Sequence, residues 1–263
     1  MTDATLRELA DLNFAEALRE LARRAGGAAF DEHGVCCWAG SHALPVLQNG
    51  AIRTAMRLDG AAVLAHAAAF FAPRRRGYTI VVRAHADADL ERAAEAAGLL
   101  RVGEMPAMIL RRRLSEPGPP PGVTLGPVRT PDDVAGYATV MAAAYATYGM
   151  APEVATSALG ERAVLEAPHI VTLLARLEGR PVAGAMTIVT HGVAGIYWVG
   201  TVPDARGRGL AALVTRVAGN AGFDLGARMA SLQASPMGEP VYRRMGYETI
   251  GSYPYWVRMQ PPG

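Results

Sequence analysis

The run from Ile196 to Val214 constrains this chain more than any other part of it. Ile196-Tyr197-Trp198-Val199-Gly200-Thr201-Val202 is β-branched and aromatic and stops at Pro203, which reads as a strand. After Asp204-Ala205-Arg206 comes a pattern with Leu210, Leu213, Val214, Val217 and Ala221 on one stripe, which reads as a helix. Between the two stands Gly207-Arg208-Gly209. Glycine lets a backbone approach a ligand with no Cβ in the way, and the first turn of a helix carries N–H groups that the helix itself does not use. With the positive end of the helix dipole and two arginines beside them, these amides make a site for a phosphate or pyrophosphate.

Arg206, Gly209 and Ala211 stand on the three fixed positions of R/Q-x-x-G-x-G/A, and the run resembles this signature of the GNAT superfamily of N-acetyltransferases. Further on, Pro240-Val241-Tyr242-Arg243-Arg244-Met245-Gly246-Tyr247-Glu248 is similar to the second hallmark of the family, a helix whose Tyr precedes Gly-Phe or Gly-Tyr by one turn. Arg228 to Ala234, between the two, reads as a strand. The order strand, anion turn, helix, strand, Tyr helix is that of the nucleotide-binding half of the family, and the resemblance covers residues 123 to 259.

The resemblance implies an acetyl-CoA-dependent N-acetyltransferase, in which a neutral primary amine attacks the acetyl thioester directly and no acetyl-enzyme forms. It places pantetheine against the backbone of Val199, Gly200 and Thr201, and the pyrophosphate on Arg206, Gly207, Arg208, Gly209, Leu210, Ala211 and Ala212. It makes Tyr242 the general acid that protonates the departing thiolate, a role that suits a phenol protonated at neutral pH. Tyr148, Glu153, Trp198 and Gln233 are the candidate acceptor-binding residues, with His191 and Tyr197 also weighed; Glu153 and His191 are the titrating ones, and no base is named. Many family members carry Asn near the start of the Tyr helix, where this chain has Ser235-Pro236-Met237-Gly238. The acceptor, whether an antibiotic amine, a polyamine, an amino acid or a protein N-terminus, stays open. The other reading is a non-catalytic acyl-CoA-binding or regulatory protein on the same scaffold, which the retention of Tyr242 disfavours.

A chain of 263 residues is long for one domain and comfortable for two. A net charge of +2 with no long like-charge block argues against nucleic acid as partner. All 26 basic residues are arginine, which fits the codon bias of a high-GC bacterium better than a mechanism. Cys36 and Cys37 are adjacent, poor geometry for a disulfide and without metal spacing, so they read as buried small hydrophobes and no metal is expected. The longest apolar stretch, Ala61 to Ala72, is too short to span a bilayer, and the polar N-terminus does not resemble a signal peptide. A cytoplasmic protein, monomer or homodimer, is the expectation.

Residues 3 to 24 have a helical apolar stripe, and strands are expected at Ala28–Phe30, Val35–Trp38 and Ala51–Leu58. Asp59 caps a helix Gly60–Phe71, followed by strand Tyr78–Arg83, helix Asp87–Ala97 and two strands, Leu99–Val102 and Ala107–Arg112. Leu114 to Gly122 is too proline-rich for helix or sheet and marks a boundary. A further strand, Val123–Arg129, leads to Thr130-Pro131-Asp132-Asp133, a capping-box pattern with Pro at the first helical position. A second helix follows Pro152, and His169–Leu177 and Pro181–Thr190 form a hairpin.

Gly98 and Gly246, Gly103 and Gly251, and Pro106 and Pro254 share one spacing, so Tyr78–Arg113 reads as a diverged copy of Gly226–Pro261. In the first copy Ala94 stands for Tyr242, and Leu58, Ala61 and Val63 stand for Arg206, Gly209 and Ala211. The expected architecture is α/β: two GNAT-like domains, each a mixed, mostly antiparallel sheet flanked by helices. The degenerate N-terminal domain takes 1–114, a Pro/Gly linker 115–122 and the catalytic domain 123–263.

Overall fold

The computed structural model describes residues 2–46 and 48–259. Two compact units divide the chain: residues up to Ala107, joined by those from Thr249 on, form the first, and Met108–Glu248 the second.

The first unit opens with α1 (Asp3–Arg24), whose first turn is capped by the Thr2 hydroxyl accepting from Thr5 N–H. β1 (Ala28–Glu32), β2 (Val35–Ala39) and β3 (Asn49–Arg53) follow, then α2 (Gly60–Phe71), β4 (Tyr78–Val81), α3 (Ala88–Ala96) and β5 (Leu100–Leu110). The final strand, β11 (Glu248–Arg258), also enters this unit, beside β4, with Tyr255 opposite Val81 and Val257 opposite Thr79. β1, β2 and β3 pair antiparallel, β3 and β4 parallel, and β4 and β11 antiparallel. The core is built from Val35, Cys37, Ala51, Val63, Phe71, Ile80, Leu90 and Trp256. Cys36 and Cys37 are free and buried on β2, and burial pushes the Cys37 thiol up to about 12.

The second unit contains β6 (Val123–Pro127), α4 (Pro131–Tyr145), α5 (Pro152–Leu159), the short α6 (Arg162–Leu165), β7 (Ile170–Leu177), β8 (Arg180–Thr190), β9 (Val193–Thr201), α7 (Leu210–Asp224), β10 (Met229–Gln233) and α8 (Glu239–Met245). Its strands lie in the order β10-β9-β8-β7-β6, antiparallel except for β10 against β9. The capping box at α4 is complete: Asp133 N–H donates to Thr130 Oγ1 at 3.1 Å, and Thr130 N–H donates back to the Asp133 carboxylate at 3.0 Å. Arg176 on β7 donates to the other Asp133 oxygen at 2.6 Å, and these bonds hold that carboxyl well below the usual range.

Each unit is therefore a mixed, mostly antiparallel sheet flanked by helices, and the two repeat one element order. α2 follows β3 as α7 follows β9, and α3 follows β4 as α8 follows β10. β5 and β11 are each 11 residues long. The C-terminal end of the matched range, Pro261, lies outside the described residues.

Three local expectations differ from the structure. Leu99–Val102 and Ala107–Arg112 are parts of one strand, β5, which runs through Gly103 and Pro106. The β region is open to both residues, so neither breaks the strand when the missing proline N–H is not needed by the ladder. The strand expected at Ala51–Leu58 is Asn49–Arg53, ending where Arg53 turns its guanidinium into a buried ion network. The compact units do not divide at 115–122: Leu114–Gly122 lies within the second unit and Thr249–Arg258 with the first. Two contacts account for this. Asn220 on α7 bonds Leu114 through both N–H and C=O, at 3.0 and 2.7 Å, and β11 pairs with β4.

Candidate active site

The parallel pairing of β9 with β10 runs from Val193 against Met229 to Gly195 against Ser231 and ends there. Beyond it β9 keeps its partner on the other side only. Met186 faces Tyr197 and Gly184 faces Gly200, so Ala185 opposes both Trp198 and Val199 in a β-bulge. Trp198 sits at φ 47°, a left-handed backbone that a bulky side chain rarely takes and that costs about 1–3 kcal/mol. Tyr137 on α4 donates its hydroxyl to the Trp198 carbonyl at 2.9 Å and holds the bulge in place. The result is a stretch of β9, Ile196 to Thr201, that continues past the end of its pairing with β10.

At the C-terminal end of β9 the chain turns through Pro203–Ala205 into the glycine loop. Gly207 and Gly209 take φ 77° and 74°, and a Cβ built on either meets nothing within 4 Å. The loop is thus left-handed and open to solvent on the side where a ligand would lie. Gly209 caps α7, and the first hydrogen bond of the helix is Leu213 N–H to Gly209 C=O at 3.0 Å. The amides of Leu210, Ala211 and Ala212 therefore point out of the helix end. Arg208 is exposed beside them. Arg206 is occupied otherwise: its guanidinium donates to Thr201 C=O at 3.3 Å, Ala144 C=O at 3.4 Å and Thr147 Oγ1 at 2.8 Å. Its side chain ties the loop to the end of β9 and to the end of α4.

The short helix α8 carries Tyr242, 8% exposed. Burial pushes its phenol up to about 12, and the Thr215 hydroxyl on α7 works weakly the other way. Around it stand Tyr247, with ring centroids 5.8 Å from those of Tyr242, and the turn Ser235–Gly238, in which Gly238 N–H donates to Ser235 Oγ at 3.2 Å. Tyr148, 48% exposed, donates its hydroxyl to the same Ser235 Oγ at 2.9 Å. Tyr145 lies 5.1 Å from Trp198 and 6.1 Å from Tyr148, centroid to centroid.

Of the residues singled out from the sequence, Val199, Gly200, Thr201 and Gly207 to Ala212 follow one another along the end of β9 and the loop, Tyr148 and Trp198 both lie against Tyr145, and Tyr242 lies against Tyr247. Gln233 ends β10, two residues before Ser235. Glu153 is exposed in the first turn of α5. His191 sits in the turn before β9, at the end of the strand opposite the glycine loop. Tyr145, Thr147, Thr215 and Ser235 went unassigned in the sequence reading, because nothing in one sequence says that the end of α4, the middle of α7 and the turn after β10 converge. Tyr137 gains its purpose from a contact 61 residues away.

Residues 109–237 match the family model of the acetyltransferase (GNAT) domain. No curated protein matches the chain. Among solved structures, a GCN5-related N-acetyltransferase from Kribbella flavida superposes with a TM-score of 0.72 at 23% identity, covering 97% of this chain and 96% of its own. A GCN5-related N-acetyltransferase from Sphaerobacter thermophilus gives 0.62 at 17% identity over 95% and 93%. A tandem GNAT protein from the clavulanic acid biosynthesis pathway, in a form without AcCoA, gives 0.58 at 16% identity over 100% and 98%. These likenesses extend over both units and establish a shared fold.

Proposed function

We propose that this protein, whose residues 109–237 are a GNAT acetyltransferase domain, is an N-acetyltransferase that moves the acetyl group of acetyl-CoA to a primary amine, with the second unit as its working half. The observation that carries the reading is the glycine loop. Two left-handed glycines with open space above them stand at the N-terminus of a 15-residue helix, which is the cradle a pyrophosphate needs. Gly207 to Ala212 hold the pyrophosphate through their amides, Arg208 adds charge, and Arg206 keeps the loop in shape. The edge from Val199 to Thr201 pairs with the pantetheine amides, as a strand edge pairs with any extended chain. The donor supplies the acetyl thioester.

The chemistry asked of the chain is then small. The acceptor arrives as an ammonium ion and loses one proton to solvent. Its nitrogen forms a bond to the acetyl carbonyl carbon, and the carbon–sulfur bond breaks. Tyr242 gives its phenolic proton to the departing sulfur and regains one from the newly acylated nitrogen, so the amide, the thiol and the phenol are all left neutral. A phenol raised to about 12 holds its proton throughout the neutral range. The same buried setting makes the thiolate a stronger base than it is in water, which offsets the weaker acidity of the raised phenol.

The test is a calorimetric titration with acetyl-CoA beside Gly209→Val. One-site binding in the wild type and none in the variant is expected, because a branched side chain at φ 74° both strains the loop and occupies the pyrophosphate's place. Equal affinity in the variant would move the donor site elsewhere, and absence of binding in the wild type would end the transferase reading.

A further inference from the structure

Helix α4 lies low on the sheet beside the β9 bulge, and a pair of glycines lets it do so. Gly184 on β8 and Gly200 on β9 face each other across the ladder. A Cβ on Gly184 would lie 2.7 Å from two carbons of the Tyr137 ring, and a Cβ on Gly200 would lie 2.9 Å from Met141 Sδ and Ala144 Cβ. Both are closer than a real Cβ approaches, so the helix takes this height only over glycine. At that height the Tyr137 hydroxyl reaches the Trp198 carbonyl, 2.9 Å away inside the bulge.

Packing does not call for that hydroxyl. Tyr137 is fully buried, and a phenylalanine would fill the same space. What the oxygen adds is a direction. The peptide between Trp198 and Val199 is planar and trans, so its C=O and N–H point opposite ways, and a bond that fixes the Trp198 carbonyl fixes the Val199 amide with it. Trp198, at φ 47°, has left the ordinary strand conformation, and the bulge interrupts the ladder that would otherwise set this peptide. Strain of this kind is kept where an arrangement has a use.

The position of the peptide says what that use is. The glycine loop follows the C-terminal end of β9, so a donor whose pyrophosphate lies on the loop runs its pantetheine arm back along the strand. Val199 is the residue of Val199–Thr201 farthest from the loop, and it meets the acyl end of the arm. Resting on the transferase reading above, we propose that Tyr137 is a positioning residue of the transfer, whose hydroxyl aims the Val199 amide at the acyl group of the donor. It touches neither donor nor acceptor, and the Gly184–Gly200 pair brings it into reach.

Acetyl-CoA and CoA differ only in the acyl group, so the two affinities separate aiming at that group from a general role in the fold. Calorimetry measures both Kd values for the wild type, Tyr137→Phe and Gly184→Ala. Tyr137→Phe should weaken acetyl-CoA about fivefold, the loss of one hydrogen bond, and CoA by less than about twofold. Gly184→Ala keeps the hydroxyl but displaces the ring that carries it, and should weaken acetyl-CoA at least as much, again with CoA nearly unchanged. This second variant applies the same test if the first does not fold. Equal weakening of both ligands, or an unchanged acetyl-CoA Kd, would overturn the proposal and leave the transferase reading standing. Absence of acetyl-CoA binding by the wild type would overturn both.

Discussion

The two units place the same elements around opposite solutions to one electrostatic problem. In the second unit the helix after the parallel strand, α7, begins with open glycines and, among the described residues, no side-chain cap. In the first unit the corresponding helix, α2, begins at Gly60, and its end is filled by the chain's own carboxylates. Asp59 Oδ1 accepts from Ala62 N–H at 2.8 Å and Asp89 Oδ2 accepts from Gly60 N–H at 2.7 Å. A Cβ on Gly60 would lie 2.5 Å from Leu90 Cα, so α3 closes over the helix end where α7 stays open.

The strands differ in the same sense. Beyond the last parallel pair, Ile52 with Val81, the first unit has Arg53 and no bulge. That guanidinium, 1% exposed, donates to Asp87 at 2.6 and 2.8 Å and to Asp89 at 2.7 and 2.9 Å. Arg83 completes the network on Asp87 at 2.7 and 2.8 Å and approaches Asp11 at 3.6 Å. The arginines hold the Asp87 and Asp89 carboxyls below the usual carboxylate range, against the pull of burial. Where one unit leaves positive ends open for an anion, the other supplies anions of its own. A helix terminus with an internal carboxylate needs no ligand, and the place that Tyr242 takes in α8 is Ala94 in α3, packed in the core.

The comparison can be broken at three points. The largest effect should come from Arg53→Ala, which takes one of two guanidiniums from the buried Asp87 and the main counter-charge from Asp89, and should cost about 3–5 kcal/mol of stability. Urea unfolding measures it, and a loss under 1 kcal/mol would show that the network is not what holds the first unit's helix end. Next comes Tyr242→Phe, expected to lower kcat about 100-fold, or roughly 2.7 kcal/mol, with acetyl-CoA affinity unchanged. Its phenol is raised, so the acid form persists as pH rises past the ordinary tyrosine range and is lost only near 12. A wild-type kcat profile that instead declines with a midpoint near 10 would contradict the burial of that phenol.

The smallest effect should be that of Asp59→Ala. Loss of one cap costs about 1 kcal/mol in thermal unfolding, and Asp89 still occupies the helix end, so inorganic phosphate should not bind there. Phosphate binding to the variant would mean that the first unit keeps a latent anion site.

Much of this was written in local chemistry. The helix at 3–24, the caps at Asp59 and Thr130, the hairpin at Glu178-Gly179 and the strand–turn–helix around Gly209 all follow from periodicity and from residues that satisfy their own backbone. The glycine loop was legible for the same reason, since a left-handed turn before an apolar helix is a property of neighbouring residues. The acceptor side was not. Tyr148 and Ser235 are 87 positions apart, Tyr137 and Trp198 are 61, and the bulge at Trp198 is set by register against β8. The ion network of the first unit, too, joins Asp11, Arg53 and Asp87 from three separate elements. The sequence by itself determined which segments are helix, strand and anion turn, because those are decided within a few residues. The tertiary structure alone decided that β11 joins the first unit, that Trp198 sits in a bulge held by Tyr137, and that the Gly60 end of α2 is filled by Asp59 and Asp89. Each of those depends on which distant side chain arrives first to satisfy a buried charge or an unpaired strand.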